Sequence, residues 1–462
     1  MNFYYCICGI AKMNKDKVAI NTNKEVITYS ELVRRIDIKI ELLSQYDIEE
    51  NSRVSLLLNG EVEYITSLFA LWAKKCIPIP LDIDITETEM ERVLEVSHFL
   101  LDNRNGEKLV KLPKNDLEHK KNTCIIFFTS GTTGKPKGVC FSFPALYANV
   151  MDVAHKIGIE KGDKCYTPIS FSYTAAITTI LLPTLLSGAS LLVRKTQLPQ
   201  NIISIANRHK IDVFFAVPYM FELLAQTLEN GTGSFHCSKM SISSSAHLSE
   251  KLFTRFLNIT GLSICTIYCS SEGGAITFNN LKDLNRNMRS VGIPFHNVKV
   301  IIKNEEGIDV TQGEIGEVFV SGSHIASGYL GNPDLEKEVF GNGMVKTGDL
   351  AMFLEGNILV LKGRVADTIN VAGHLVSPDE VEQVLLSHPQ VKDALVFGEE
   401  QSVIGEVVVA EIVFNDSNNP VTQEELNLFC KSKLSKYKIP KHYFIVKEIK
   451  CSKYGKKIRT RK

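Results

Sequence analysis

The chain has 462 residues, of which 44% are hydrophobic and 23% are charged, a composition typical of a soluble globular protein with two or more domains. Lysines and arginines (52) balance aspartates and glutamates (52), so bulk charge does not indicate nucleic acid or an anionic membrane as a partner. The cysteines lack the paired spacing of a zinc site, and no apolar run reaches the ~18 residues of a membrane span. Since the first residues also lack the pattern of a signal peptide, we expect a cytoplasmic protein.

Helix-period and strand-like segments alternate from Thr28 to about Leu281. Thr28 and Glu31 form a predicted capping box, and the apolar residues that follow recur on one stripe of a helix. A buried strand is predicted at Cys124–Phe128, and a helix is predicted after Ser142. Alternating strands and helices predict a parallel sheet covered on both faces, which is an α/β fold.

The pattern changes twice in the second half of the chain. Near Ser290, short strand-like pieces joined by tight turns predict a β-rich region. Beyond Gly363–Arg364, new helices and strands predict a small α+β domain. We therefore predict a large domain, residues 1–363, and a small one, residues 364–462. The capping boxes predicted for the helices of the small domain are Ser377 with Glu380 and Thr422 with Glu425.

The segment FFTSGTTGKPKG holds three glycines, two lysines and four hydroxyl side chains, which together suit a polyphosphate. It is not a Walker A loop, because two residues rather than four separate Gly131 from Gly134, and because Pro136 follows Lys135. A G-x-G-x-x-G fingerprint is also absent from this segment. The residues predicted to bind the phosphates are Thr129, Ser130, Gly131, Thr132, Thr133, Gly134 and Lys135.

This loop resembles the phosphate-binding signature of the adenylate-forming superfamily, which contains acyl-CoA synthetases, nonribosomal peptide adenylation domains and luciferases. Further along, IYCSSEGG resembles the Y-G-x-T-E motif of that superfamily. The resemblance implies that Tyr268 stacks on adenine, Ser271 faces the α-phosphate and Glu272 binds Mg²⁺, the ion that neutralises phosphate oxygens. ISSSAHL resembles the segment beside the adenine and the acyl pocket, which implies that Ser245 and Ala246 contact the nucleotide.

Later motifs extend the resemblance towards the end of the chain. VKTGDL implies that Asp349 accepts hydrogen bonds from the ribose hydroxyls, and GRVADTINVAGH implies a hinge with Arg364 near the ribose. SKYGKKIRTRK resembles the terminal G-K motif, which implies that Lys456 is the catalytic lysine, with Lys457 as the alternative. The superfamily architecture is then expected: α/β sheets and a β-barrel in the large N-terminal domain, with a mobile α+β C-terminal domain.

Three positions depart from the superfamily pattern. Cys269 stands where glycine is usual, and Ala366 stands at a hinge position that usually carries aspartate or lysine. Ser172, in SFSYTAAI, stands where amino-acid-activating relatives carry the aspartate that holds an ammonium group. Acyl or aryl acids are therefore favoured, with neutral walls expected from Phe171, Tyr173, Phe215, Val217 and Ala246.

The resemblance implies an AMP-forming ligase that uses ATP and Mg²⁺ to make an acyl-adenylate from a small carboxylic acid. The acyl group would then pass to the thiol of CoA or of a phosphopantetheinylated carrier protein. Two alternatives stay open: a free-standing adenylation enzyme that loads an amino or hydroxy acid onto a carrier protein, and a non-catalytic nucleotide-binding relative. The presence of Glu272, Asp349 and Lys456 favours an enzyme over the last of these.

Overall fold

The computed structural model describes residues 2–113, 115, 117, 119–130, 136–194, 196–231, 233–280, 290–371, 374–401, 405–416, 421–451 and 457–459. The predicted phosphate residues Gly131, Thr132, Thr133, Gly134 and Lys135 and the predicted catalytic Lys456 lie outside the described residues. The strands are β1 Val18–Asn21, β2 Val26–Thr28, β3 Arg53–Leu57, β4 Ile77–Pro80, β5 Phe99–Asp102, β6 Lys108–Lys111, β7 Thr123–Ser130, β8 Pro136–Ser142, β9 Lys164–Tyr166, β10 Ser190–Leu192, β11 Ile211–Ala216, β12 Cys237–Ser243, β13 Ile264–Ser270, β14 Gly274–Asn279, β15 Ile293–Pro294, β16 Val298–Lys303, β17 Gly316–Gly322, β18 Gly328–Tyr329, β19 Phe340–Gly341, β20 Met344–Leu354, β21 Ile358–Arg364, β22 Ile369–Val371, β23 His374–Val376, β24 Val391–Gln401, β25 Gly405–Phe414 and β26 His442–Ile445.

Helices alternate with these strands, as the sequence pattern predicts. A π-helical turn, Ile177–Leu181, joins two short helices, and 3₁₀ turns occur at Val365–Asp367 and Lys436–Lys438. The α-helices are α1 Phe3–Met13, α2 Tyr29–Ser44, α3 Glu61–Ala73, α4 Glu87–Leu94, α5 Phe143–Ile157, α6 Thr174–Ala176, α7 Leu182–Leu186, α8 Pro199–His209, α9 Pro218–Glu229, α10 Glu250–Thr260, α11 Pro333–Val339, α12 Pro378–Leu386 and α13 Gln423–Lys431.

The largest sheet has the strand order β15-β14-β13-β12-β11-β9-β10-β1-β2. From β13 to β1 every neighbouring pair is parallel, and antiparallel strands close both edges. The central strand β11 is buried along nearly its whole length, as expected when helices cover both faces of a parallel sheet. Because the strands are parallel, the segments that follow them meet at one edge of the sheet and the segments that precede them meet at the other.

The other sheets are smaller. The sheet β4-β3-β5-β6 is mainly parallel, and β18-β8-β7 is antiparallel. Further strands form the order β16-β17-β20-β19, with β21 beside β20. Asn357 and Gly356 both have positive φ angles (58° and 83°) in the tight turn between β20 and β21, where the sequence predicted a turn.

The chain divides into two compact units. The first unit comprises Met1–Val300 and Val320–Thr347, and the second comprises Ile301–Phe319 and Gly348–Lys462. In the second unit, β22, β24, β25 and the two helices α12 and α13 enclose an apolar core that includes Val381, Val396 and Leu426. A domain boundary after residue 363 stays a prediction from the sequence.

The cap predictions have two outcomes. The Thr28 side chain accepts a hydrogen bond from the Glu31 N–H group at the start of α2, and Thr422 and Glu425 form the predicted capping box of α13. The capping box predicted for Ser377 and Glu380 is wrong. The Ser377 hydroxyl donates to the carbonyl oxygen of Lys362 instead, and in this orientation it accepts no capping hydrogen bond from α12.

Among the described residues, no helix is both long enough and apolar enough to cross a membrane.

Candidate active site

A β-hairpin holds the ends of the predicted phosphate loop. Strands β7 and β8 are antiparallel, with Thr129 opposite Lys137 and Ser130 opposite Pro136. Five residues, 131–135, connect the two strands and lie outside the described residues. The sequence predicted the first strand but not the second, because a run of glycine, proline and lysine is typical of a loop. The hairpin fixes where the loop begins and ends.

A third strand, β18, extends this hairpin. Tyr329 lies opposite Val139, and the Leu330 N–H group donates to the carbonyl oxygen of Gly138 at 2.8 Å. Gly138 permits this approach, since a Cβ atom there would lie 3.2 Å from Leu330 Cβ and 3.1 Å from the Phe128 ring. Strand β18 therefore carries Tyr329 to the hairpin that leads into the phosphate loop.

Tyr329 also contacts the predicted magnesium ligand. Its hydroxyl donates to Glu272 Oε1 at 2.5 Å, and the Ala326 N–H group donates to the carbonyl oxygen of Glu272 at 2.7 Å. Burial raises the pKa of Tyr329, and the charge of Glu272 raises it further, so the phenol stays protonated and keeps donating. The sequence did not predict a role for Tyr329, because nothing local links it to Glu272, which lies 57 residues earlier.

A buried histidine supports the segment that follows Glu272. His324 is fully buried; its Nδ1 lies 2.9 Å from the carbonyl oxygen of Ala275 and its Nε2 lies 2.8 Å from Asp152 Oδ2. Both ring nitrogens face oxygen atoms, and these two contacts hold the imidazole ring in one orientation. Gly274 allows the close packing, because a Cβ atom there would lie 2.9 Å from the carbonyl oxygen of His324. The contacts of His324 thus hold the segment next to Glu272 in place.

The other predicted nucleotide contacts of the first unit follow β12 and β13 or lie near their ends. Ser245 has a φ of +75°, a left-handed conformation that is uncommon for a side-chain-bearing residue and typical of binding sites. Ala246 beside it is exposed, Ser271 is half-buried and Tyr268 is 7% exposed at the end of β13. Cys269, in place of the usual glycine, pairs with Ala275 of β14 next to a register shift between Tyr268 and Cys269, and it is not among the residues with positive φ.

The residues expected to form the acyl pocket divide into two groups. Phe171, Phe215 and Val217 are at most 3% exposed, so they belong to the core and do not form an accessible wall in this structure. Tyr173 is half-buried, and its hydrogen bond with Ser245 partly offsets the rise in its pKa that burial causes. The neutral wall expected from these residues stays a prediction.

Ser172 has a carboxylate beside it after all. Its hydroxyl donates to Asp82 Oδ2 at 3.2 Å and lies 2.9 Å from the hydroxyl of Ser170. Asp82 follows β4, 90 residues earlier in the chain. Sequence comparison position by position could not find it, since the negative charge comes from a different strand.

In the second unit, the two residues predicted near the ribose are neighbours. Asp349 on β20 lies directly opposite Arg364 on β21, and Arg364 Nε donates to Asp349 Oδ1 at 2.9 Å. The Asp349 side chain is 8% exposed, whereas that of Arg364 is 44% exposed. The guanidinium thus orients the carboxylate.

The C-terminal segment shows what Lys457 does. Its ammonium donates to the carbonyl oxygen of Ala394 at 2.6 Å and lies 2.7 Å from Asp393 Oδ1. Two residues later, Arg459 donates to Glu382 Oε1 at 2.8 Å. Lys457 is therefore committed to contacts within the second unit.

The residues at Glu272 fit a magnesium ion that arrives with the nucleotide. Mg²⁺ is commonly bound by one or two carboxylates together with substrate phosphates, and keeps several waters. The described residues contain no group of three or more histidine, cysteine, aspartate or glutamate side chains that could hold a metal by themselves. A single half-buried carboxylate, oriented by a neutral phenol, suits the shared mode of binding.

The parallel sheet, the hairpin around residues 131–135 and the glutamate that follows β13 define the class of nucleotide-binding, adenylate-forming proteins. The model of the AMP-binding enzyme family matches residues 10–99 and 98–330, and that of the AMP-binding enzyme C-terminal domain matches residues 380–456. The chain belongs to the AMP-binding enzyme family. The resemblance inferred from the motifs and the predicted fold class are thereby confirmed.

Similar proteins include 2-succinylbenzoate–CoA ligase of Bacillus licheniformis, which is 25% identical with 94% of both chains covered. Feruloyl-CoA synthase of an Amycolatopsis species is 24% identical, with 93% of this chain and 92% of that protein covered. Among solved structures, ATP-bound MatB from Rhodopseudomonas palustris has a TM-score of 0.88 at 22% identity, covering 99% of this chain and 97% of that one. The MatB structure agrees with the fold of this protein over nearly the whole chain.

Proposed function

We propose that the protein is an ATP-dependent, AMP-forming ligase that converts a carboxylic acid to an acyl-adenylate and transfers the acyl group to a thiol. The observation that carries the proposal is the connection made by Tyr329. It joins Glu272, at the carboxyl end of β13, to the hairpin that leads into the phosphate loop. Ligands of open parallel sheets bind at this edge.

The chain's own residues would divide the work of the first half-reaction. Residues 129–135 hold the polyphosphate, Tyr268, Ser245 and Ala246 position the adenine, and Ser271 faces the α-phosphate. Asp349, oriented by Arg364, accepts hydrogen bonds from the ribose hydroxyls. Glu272 would bind the Mg²⁺ that arrives with ATP, and the ion would supply positive charge to the phosphate oxygens. The substrate carboxylate would attack the α-phosphorus, forming the acyl-adenylate and releasing pyrophosphate.

Lys456 would stabilise the negative charge that develops on the carboxylate and the α-phosphate. The contacts of Lys457 support this choice between the two lysines, because its ammonium is already bound by Ala394 and Asp393. A lysine held by a carboxylate of its own unit is poorly suited to take up charge from a substrate.

CoA is the proposed acceptor, since the similar proteins named above are CoA ligases. A phosphopantetheinylated carrier protein presents the same thiol chemistry and is the other acceptor to assay. We also propose that the enzyme acts in the cytoplasm, where ATP and CoA are available.

The test is carboxylate-dependent ATP–pyrophosphate exchange with fatty, aryl, hydroxy and amino acids. We expect exchange with acyl or aryl acids, followed by loss of the free thiol when CoA is added. Glu272→Gln is expected to lower this exchange. Its matched control is Asp334→Asn, because the Asp334 side chain is 96% exposed on α11. If no acid supports exchange in protein that still binds MgATP, the ligase is rejected in favour of a nucleotide-binding relative without catalysis.

The position of Asp82 supports a second candidate function, the adenylation of an amino acid. Its carboxylate, beside Ser172, places negative charge close to the position where amino-acid-activating relatives hold the ammonium group. If the substrate is an amino acid, Asp82→Asn abolishes exchange with that acid. If the substrate is an acyl or aryl acid, the same substitution changes exchange little.

A further inference from the structure

A basic concavity lies in the first unit, in a region that the proposed function does not use. It has a volume of about 560 Å³ and is lined by the cationic side chains Lys17, Lys161, Lys164 and Arg208, with His209 and Ser190 between them. No aspartate or glutamate contributes to its lining. The chain as a whole carries equal numbers of acidic and basic residues, so this local excess of positive charge is not a consequence of composition.

The charged residues that line the concavity lie at the end of the largest sheet opposite to Glu272, and Asn21 and Leu192, the last residues of β1 and β10, complete the lining. Lys17 immediately precedes β1, Lys161 leads into β9, and Arg208 with His209 leads into β11. These strands are mutually parallel through β10 and β9, so their entry points share the amino-terminal edge. Glu272 follows the carboxyl end of β13 in the same parallel array. The basic concavity is therefore separate from the nucleotide site.

The cations that line it are not neutralised within the part of the chain that the structure describes. Lys17, Lys161 and Arg208 are exposed, and their side chains make no ion pair or hydrogen bond with another described residue. The Lys164 ammonium donates to the carbonyl oxygen of His209 at 2.9 Å, which fixes it beside the imidazole without cancelling its charge.

Two carboxylates close in sequence, Asp163 and Asp212, have other partners, whereas Asp16, next to Lys17, is exposed and does not line the concavity. Asp163 lies 2.8 Å from the ammonium of Lys239, and Asp212 accepts a hydrogen bond from the backbone N–H group of Lys164 at 2.9 Å. Neither carboxylate lines the concavity.

The titration of His209 is consistent with this positive field. Partial burial lowers the pKa of His209, and Arg194, Arg208 and Lys164 lower it further. All the charged groups that act on this imidazole are therefore cations. A multivalent anion bound here would relieve their mutual repulsion.

We propose that this concavity binds a small polyphosphate, either free pyrophosphate or the phosphate chain of a nucleotide, at a site distinct from the active site. Its volume falls within the ~300–1,000 Å³ of small-molecule sites. Lysine and arginine side chains that converge without a competing carboxylate are the donors that phosphate groups bind best. A concave shape favours a compact polyanion over the flat acidic face of a protein.

Titration calorimetry with magnesium-free pyrophosphate tests the proposal on the full chain. We expect two molecules per chain for the unmodified protein and one for Lys161→Gln/Arg208→Gln, or at least tenfold weaker binding of the second molecule. The control is Lys251→Gln/Lys299→Gln, which removes the same charge from exposed positions of the first unit, on α10 and β16. Circular dichroism of both variants checks that they are folded.

A second titration, with ATP, distinguishes the two sources of phosphate. The ligand that loses a binding site in the Lys161→Gln/Arg208→Gln variant, pyrophosphate or ATP, is the one that the concavity binds. Unchanged stoichiometry and affinity for both ligands in that variant would overturn the proposal. So would loss of binding to polyglutamate alone, which would identify the surface as one for acidic proteins. ATP–pyrophosphate exchange at saturating substrate is expected to be the same in both variants, since neither alters the candidate active site.

Discussion

Each unit contains a carboxylate with strong partners, but the partners differ in charge. In the first unit, Glu272 accepts from the neutral hydroxyl of Tyr329 at 2.5 Å. In the second unit, Glu382 faces two cations, with Arg459 at 2.8 Å and Lys457 at 3.7 Å, and also accepts from the Val396 N–H group at 2.9 Å. Glu272 is half-buried, whereas Glu382 is 6% exposed.

The difference indicates what each carboxylate is for. A neutral donor orients Glu272 without compensating its charge, so the charge is available to a cation from solution. Lys457 and Arg459 compensate the charge of Glu382. The same contacts hold residues 457–459 against α12 and β24. Glu272 is suited to bind a ligand, and Glu382 is suited to attach a segment of the chain.

The largest effect is expected from removing a partner of Glu382. Arg459→Ala leaves a buried carboxylate with a single, more distant cation, which we expect to destabilise the second unit by about 3–5 kcal/mol. Hydrogen exchange measured segment by segment reports this, with faster exchange in α12 and β24 and unchanged exchange in the first unit. The control is Glu382→Gln/Arg459→Ala, which keeps an acceptor for Val396 but removes the unpaired charge and is expected to be less destabilised.

The same variant has a defined pH dependence. Burial raises the pKa of Glu382, and Lys457 and Arg459 oppose that rise. Without Arg459 the folded-state pKa rises further above the unfolded value, so the penalty for folding with an ionised carboxylate grows as pH increases. The destabilisation by Arg459→Ala is therefore smallest at acidic pH, where Glu382 is protonated in both states. Equal destabilisation at acidic and neutral pH would contradict the role assigned to this charge.

Lys456 and Lys457 provide the next test, because they are adjacent and have different proposed roles. Lys456→Ala should lower adenylation by ~10²–10³-fold, the cost of losing one charge-stabilising donor. Thioester formation from supplied acyl-adenylate should be largely kept. Lys457→Ala should instead resemble a milder Arg459→Ala, with faster hydrogen exchange near Asp393 and Ala394. Similar losses in both half-reactions for Lys456→Ala would reject the catalytic assignment.

Glu272 is expected to give a smaller but specific loss. Glu272→Gln keeps an oxygen acceptor for Tyr329 but removes the charge, and should reduce ATP–pyrophosphate exchange roughly 100-fold, or about 2.7 kcal/mol. The loss should be partly recovered at high Mg²⁺ concentration, unlike that of Lys456→Ala. Asp334→Asn, which removes an exposed carboxylate of the same unit, should leave exchange unchanged.

Local signals in the sequence were sufficient where both partners lie within one turn or one motif. Thr422 and Glu425, which form a capping box, are three positions apart, and the motif that contains Glu272 predicts its role. Helix α1 also carried a readable signal that was missed. Phe3, Ile7 and Ala11 recur at helical spacing and are buried, a pattern that indicates a helix with one apolar face.

Long-range partners could not be predicted in the same way. A glutamate on an amphipathic helix looks solvent-exposed until the facing element is known, and Arg459 reaches Glu382 from 77 residues away. Tyr329 and Glu272 are separated by 57 residues. The capping box predicted at Ser377 is wrong for the same reason, since the Ser377 hydroxyl is turned towards the carbonyl oxygen of Lys362 on β21 and makes no capping hydrogen bond. Pairwise chemistry between distant segments depends on topology, which the motifs only imply.

The smallest expected effect separates positioning from catalysis at Glu272. Tyr329→Phe removes one hydroxyl from a buried ring and leaves the ring itself, so the strand β18 and its contacts with the hairpin should persist. Without the phenol the carboxylate is no longer held in one orientation, and we expect about tenfold weaker apparent Mg²⁺ affinity. At saturating Mg²⁺ the rate should return to nearly that of the unmodified enzyme, because the ion itself then orients the carboxylate. Tyr219→Phe, at an exposed position of α9, is the matched control. A loss of rate that persists at saturating Mg²⁺ would mean that the Tyr329 hydroxyl acts on the substrate, and the neutral partner of Glu272 would then be part of the reaction.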